Sequence, residues 1–90
     1  MIDMMILAVF RSRSQSLDYA EKLRSYGVVS ETISAPKEAK IGCGLCVRFD
    51  ERQFVRASAV LRIGKYTSFK GYYKIQFVAG KTQVTPYAKR

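Results

Sequence analysis

The segment Met4-Met5-Ile6-Leu7-Ala8-Val9-Phe10 contains no polar residue. A strand with one face in water alternates apolar and polar side chains, so an unbroken apolar run reads as a strand buried on both faces. This places the first strand in the middle of a sheet rather than at its edge, and each face of that strand then needs a cover. Helices supply one. The face that a two-layer fold leaves open calls for a second copy of the chain, giving a homodimer through the open sheet face, or for the C-terminal tail. The run is far shorter than the roughly 20 apolar residues of a membrane span, so no membrane association is expected. Asp3 stands where an export signal would carry Lys or Arg, which points to the cytoplasm.

The remaining punctuation fixes an order of elements. Ser12 has Gln15 three residues on, a helix-start pattern. Leu17, Ala20 and Leu23 recur at helical spacing, with Tyr19 and Tyr26 beside them, and Gly27 supplies a C-terminal cap. Val28 to Ser34 reads as a second strand, closed by Pro36. Residues 36–44 read as a loop kinked at Gly42 and Gly44. Leu45, Val47 and Phe49 then alternate as a third strand, with Cys46 and Arg48 on its other side. Asp50 with Gln53 repeats the helix-start pattern. Phe54, Ala57 and Leu61 predict a second amphipathic helix stopping near Gly64. Gly71 opens a fourth strand over residues 72–78. The pair Gly80-Lys81 turns it into a short fifth strand over 82–84, after which Pro86 and the basic end fray. The order is βαββαβ. The right-handed crossover rule leaves few ways to close it, the commonest being an α+β ferredoxin-like sandwich, with two helices on one face of an antiparallel sheet. Ninety residues make a single domain, 1–90, with a core over 4–78 and a basic extension over 79–90.

Charge divides the chain. Residues 1–51 hold seven Lys/Arg and seven Asp/Glu, whereas nine cations and no acid follow Glu51, which accounts for the net charge of +9. Such an asymmetry suits weak polyanion binding through Arg52, Arg56, Arg62, Lys65, Lys70 and Lys74, or a solvated basic face. Lys70-Gly71-Tyr72-Tyr73-Lys74-Ile75-Gln76-Phe77 partly matches an RNA-binding strand motif in which alternate aromatic side chains stack on bases. It falls on the fourth strand instead of the third, and Lys74 takes one of the stacking positions. Histidine is absent, which removes the commonest general base and metal ligand.

The chemistry that remains is sulfur. The stretch Lys40-Ile41-Gly42-Cys43-Gly44-Leu45-Cys46-Val47-Arg48 holds both cysteines, between glycines and cations. Lys37, Lys40 and Arg48 favour a thiolate, the form that attacks sulfur. Gly42 and Gly44 let the backbone bend and open access to Cys43. Four readings stand at this point: a reactive thiol at Cys43, a pair in which Cys46 resolves it, half of a zinc site completed across a dimer, and inert apolar filler. A bridge between the two requires a turn at Gly44-Leu45, because residues three apart in a strand are roughly 10 Å apart and a disulfide needs less than about 7 Å. No other catalytic set is present, so a self-sufficient enzyme is not expected, nor is a bound cofactor.

Phe10-Arg11-Ser12, Ala20-Glu21-Lys22-Leu23, Gly27-Val28, Pro36-Lys37-Glu38 and Cys43-Gly44-Leu45 before Val47-Arg48-Phe49 together resemble the selenium/sulfur carrier-like family of short bacterial proteins. The resemblance covers roughly residues 4–75. It implies that Cys43 carries a persulfide or selenium adduct and that the partners are sulfur or selenium donor and acceptor proteins; Gly42, Gly44, Leu45, Lys37, Lys40 and Arg48 are the accompanying candidate binding residues. Two positions depart from the family pattern. Lys37 replaces an arginine, and Cys46 replaces a small residue, which makes a resolving thiol available here. The alternative function is a basic nucleic-acid or polyanion-binding module with inert cysteines.

Overall fold

A computed structural model describes residues 4–35 and 44–87. Five strands form one antiparallel sheet: β1 (Met5–Phe10), β2 (Ser30–Ser34), β3 (Leu45–Asp50), β4 (Phe69–Val78) and β5 (Lys81–Pro86), in the spatial order β2-β3-β1-β4-β5. Helices α1 (Arg13–Ser25) and α2 (Phe54–Gly64) both pack on one face. The fold is α+β, with the expected element order and the apolar first strand at the centre.

β1 shows why the run of Met4 to Phe10 is unbroken. Ile6, Ala8 and Phe10 face the helices and pack with Tyr19, Leu23, Val47, Phe49, Phe54, Ala57 and Val60. Leu7 and Val9 face the other way and pack with Cys46, Ile33, Ala35, Tyr73 and Ile75. Leu7, Val9 and Cys46 are at most 1 % exposed within a single chain, so their burial does not call for a second copy. Among the described residues the tail does not cover that face either. Tyr87 lies on the helix side, its ring 5.0 Å from that of Phe54, its N–H on the Tyr72 carbonyl and its hydroxyl on Glu51.

Several local expectations are corrected by packing. Ser16, Tyr19 and Leu23 form the buried stripe of α1, while Leu17 and Tyr26 are half exposed. Ser12 caps α1 as its spacing predicts, but Asp50 caps a single 3-10 turn, Glu51–Gln53, by accepting from the Arg52 N–H, and α2 begins after it. Val60, more than Leu61, completes the core stripe of α2. The β2 strand begins at Ser30, because the Val28 N–H is spent closing the end of α1 on the Leu23 carbonyl. The last hairpin turns at Ala79-Gly80, both with positive φ, and β5 runs to Pro86 instead of fraying.

The helix-side core is aromatic and carries buried hydroxyls. Tyr19 donates to the Ala57 carbonyl at 2.8 Å, and the Tyr72 hydroxyl lies 3.0 Å from that of Tyr19. Burial pushes both phenols up, Tyr72 to about 12 and Tyr19 further, because the phenolate loses its hydration. Below the ordinary phenol value of 10.0 both are neutral whether the chain is folded or unfolded, and this contribution to stability is fully present. Above it the unfolded chain ionises first, so stability falls as pH rises toward about 12. Denaturation midpoints measured from pH 8 to 11 should be level at first and then drop, with phenolate absorbance rising together with unfolding. Tyr72→Phe should flatten the drop, and an unchanged slope in that variant would contradict the assignment.

Candidate functional site

The cysteine-bearing connection leaves and re-enters the sheet at one end. Ser34 pairs with Leu45, and the Ala35 N–H donates to the Gly44 carbonyl at 2.9 Å, closing the base of the β2–β3 hairpin. Gly44 has φ +87° with open space around it, so backbone conformation, not room, calls for glycine there. Cys43, Gly42, Lys40 and Lys37 lie outside the described residues. What the structure defines is the platform to which Cys43 is bonded.

That platform is tied down from the helix side. The Ser16 hydroxyl, fully buried, donates to the Leu45 carbonyl at 3.2 Å and joins α1 to the first residue of β3. The same end of the sheet carries the end of β1, the start of α1 and the segment before β4. Gln15 links them. Its carbonyl oxygen accepts from the Ser68 N–H at 3.0 Å and the Ser68 hydroxyl at 2.7 Å, and its amide N–H donates to Thr67 at 3.2 Å. The Ser12 N–H donates to the Ser68 hydroxyl and the Arg11 N–H to the Ser68 carbonyl. One turn along α1, the Tyr66 hydroxyl donates to Asp18, which also pairs with Lys22. These two bonds hold the Asp18 carboxyl below its usual range, the tyrosine contact being the larger cause, while burial and that same carboxylate push the Tyr66 phenol up. The first turn of α1 contains no acid, and among the described residues this end carries the exposed cations Arg11, Arg13 and Lys70.

The second thiol is placed differently. Cys46 lies on the helix-free side of β3, closed in by Leu7, Val9, Ile33, Ala35, Tyr73 and Ile75. Arg48, two residues on and on the same side, is ion-paired with Glu31 of the neighbouring strand, so its charge is already matched. Leu45 is half-buried and Gly44 exposed. Among the described residues there is no group of three or more metal-ligating side chains, and no helix is long and apolar enough to cross a membrane.

The stacking positions of the RNA-type motif turn to the helix side of β4, while Tyr73 and the exposed Phe77 alternate to the other side. Tyr72 turns toward the helices, against Phe49, Phe54 and Phe69, and Lys74 pairs with Ile6 on that same side. Both stacking positions of the RNA-type motif therefore point away from the open face.

Against this geometry, the family model described as "Putative Se/S carrier protein-like" matches residues 5–74. The chain belongs to this family. The match runs from β1 into β4 and contains both cysteines, as the residues quoted from the sequence imply. No curated protein and no solved structure matches the chain. For a member of the Se/S carrier-like family, the informative feature is the bonded network that holds α1, β1, β3 and β4 together where the cysteine connection begins and ends. Sequence reading missed Gln15 as its hub, because a polar side chain bonding 53 residues away leaves no periodic signal. Gln15→Ala should cost about 1–3 kcal/mol in urea unfolding and speed amide exchange at Ser68. Exchange at Ser68 no faster than in the parent chain would show that the hub is not needed.

Proposed function

We propose that the protein is a carrier of sulfur or selenium, with Cys43 as the acceptor thiol. Membership of the Se/S carrier-like family over residues 5–74, a span that contains Cys43, is the observation that carries this reading; the choice of Cys43 follows the resemblance of Cys43-Gly44-Leu45 to the family's cysteine motif. The step is a thiol–persulfide exchange. The Cys43 thiolate attacks the outer sulfur of a donor persulfide, the donor's S–S bond breaks, a new S–S bond forms on Cys43, and the donor leaves as a thiolate. Oxidation level is conserved and no cofactor is consumed. An acceptor protein takes the atom by the same exchange in reverse.

The surroundings support the role. Gly44 is exposed and left-handed beside the thiol, which leaves room for a donor's active site to approach. The β2–β3 base and the Ser16–Leu45 bond fix where the cysteine connection is anchored, so a partner protein meets a defined platform. The cations Arg11, Arg13 and Lys70 at that end favour an anionic sulfur. Cys46 resolves a Cys43 adduct only if the start of β3 opens, since the thiol is closed off from solvent. Of the two stacking positions of the RNA-type motif, Tyr72 packs among Phe49, Phe54 and Phe69 and Lys74 is not aromatic, which weakens the RNA-binding reading.

Incubation with a persulfide-loaded cysteine desulfurase should add the mass of one sulfur at Cys43. The adduct should be lost in Cys43→Ser and kept in Cys46→Ser. Sulfur found only on Cys46, or a full adduct yield in Cys43→Ser, would overturn the assignment.

A further inference from the structure

Lys70 is an extra residue in its strand. Val9 pairs with Gly71 and Phe10 with Phe69, so β1 runs on without a gap while β4 inserts Lys70 between the two pairs. This is a β-bulge, and Gly71 accommodates it with φ +140°. A bulge re-aims the side chain of the extra residue, and bulges are over-represented beside functional sites. Here it keeps Phe69 and Tyr72, three residues apart, on the same helix-facing side, their rings 4.9 Å apart. Lys70 is left exposed beside a cleft of about 230 Å³ lined by Arg11, Thr67, Ser68, Phe69 and Lys70.

The cleft is built for negative charge. Among the described residues neither Arg11 nor Lys70 has an ion-pair partner, and no carboxylate lines the cleft. Its floor is held by the Arg11 N–H on the Ser68 carbonyl and by the bonds of Gln15 to Thr67 and Ser68. The Ser68 hydroxyl is used up, donating to Gln15 and accepting from Ser12. Thr67 only accepts from Gln15, so its own hydroxyl proton remains to donate. A guanidinium, an ammonium and a hydroxyl thus border one open cleft on a braced floor.

We propose that this cleft binds a small, doubly charged oxyanion of the phosphate or thiosulfate type, held between Arg11 and Lys70 with Thr67 as third donor. A nucleic-acid backbone fits less well, since a strand is held by a cationic groove that follows it, whereas this cleft offers two cations, with Phe69 engaged by Phe10 and Tyr72. In the sheet, β4 and β3 flank β1, so the starts of β3 and β4 stand two strand spacings apart, about 10 Å. An anion in the cleft is therefore next to the platform that carries the cysteine connection. The anion's purpose, though not its binding, rests on the carrier reading: a bound thiosulfate would be a second donor class beside a protein persulfide, its outer sulfur passing to the Cys43 thiolate as its own S–S bond breaks and sulfite leaves.

The test is amide chemical-shift titration of the labelled full chain with inorganic phosphate and with thiosulfate, at constant ionic strength. Saturable shifts should centre on Arg11 and residues 67–70. Arg11→Gln and Lys70→Gln should each weaken binding about tenfold, the loss of one charge-assisted contact. Arg56→Gln and Lys81→Gln, which remove the same charge elsewhere, should leave it unchanged, and the spectra themselves report that each variant is folded. Equal weakening by all four variants, shifts spread over the whole basic surface, or binding of an oligonucleotide but of neither ion would overturn the site. The phosphate titration contains no sulfur donor, so failure of Cys43 to gain sulfur and failure of the cleft to bind are read separately.

Discussion

The whole structure depends on β1 being buried on both faces. Ile6, Ala8 and Phe10 belong to the helix-side core, and Leu7 and Val9 to a smaller core on the other side. Ile6 to Val9 each pair with both β3 and β4, and Phe10 with β4, so one apolar strand sets the register of the three central strands. The register in turn brings the ends of β1 and β2 and the starts of β3 and β4 to the same edge. The cysteine connection, the start of α1 and the cationic cleft share that edge for this reason. The proposed sites gather there because topology brings these ends together, not because the sequence clusters those residues.

The second face deserves separate treatment, because it decides what Cys46 is. A thiol needs access and a nearby positive charge to act as a nucleophile. Cys46 is walled in by aliphatic and aromatic side chains, and the guanidinium on its own face is matched to Glu31. It fills space between Val9 and Ile33 as a small apolar side chain would. Cys43 is bonded to an exposed, left-handed glycine. Alternation buries Cys46 within the strand, while Cys43 precedes the strand's start and lies outside the described residues.

Legibility followed the range of the interaction. Apolar runs, helix spacing and turn residues were readable because they are local, and they yielded the element order, the central strand and the split of β3 into Val47/Phe49 and Cys46/Arg48 faces. Contacts spanning dozens of residues were not readable. Nothing near Tyr87 announces that it docks on Phe54 and Glu51, and nothing near Gln15 announces Ser68. One signal was available and passed over: a glycine inside a strand pattern often marks a bulge, and Gly71 directly follows Lys70. The resemblance that picked out Cys43 rested on short motifs, and it agrees with the family match over most of the chain.

The central claim is that one of the two thiols is poised and the other is structural. Alkylation of the native chain across pH 5–9, with both cysteines quantified by peptide mass, measures this directly. The account predicts that Cys43 reacts at a rate that levels off below the pH at which an ordinary free thiol would, while Cys46 reacts only once the chain is unfolded in urea. Equal, slow labelling of both thiols in the native chain, or faster labelling of Cys46, would contradict it.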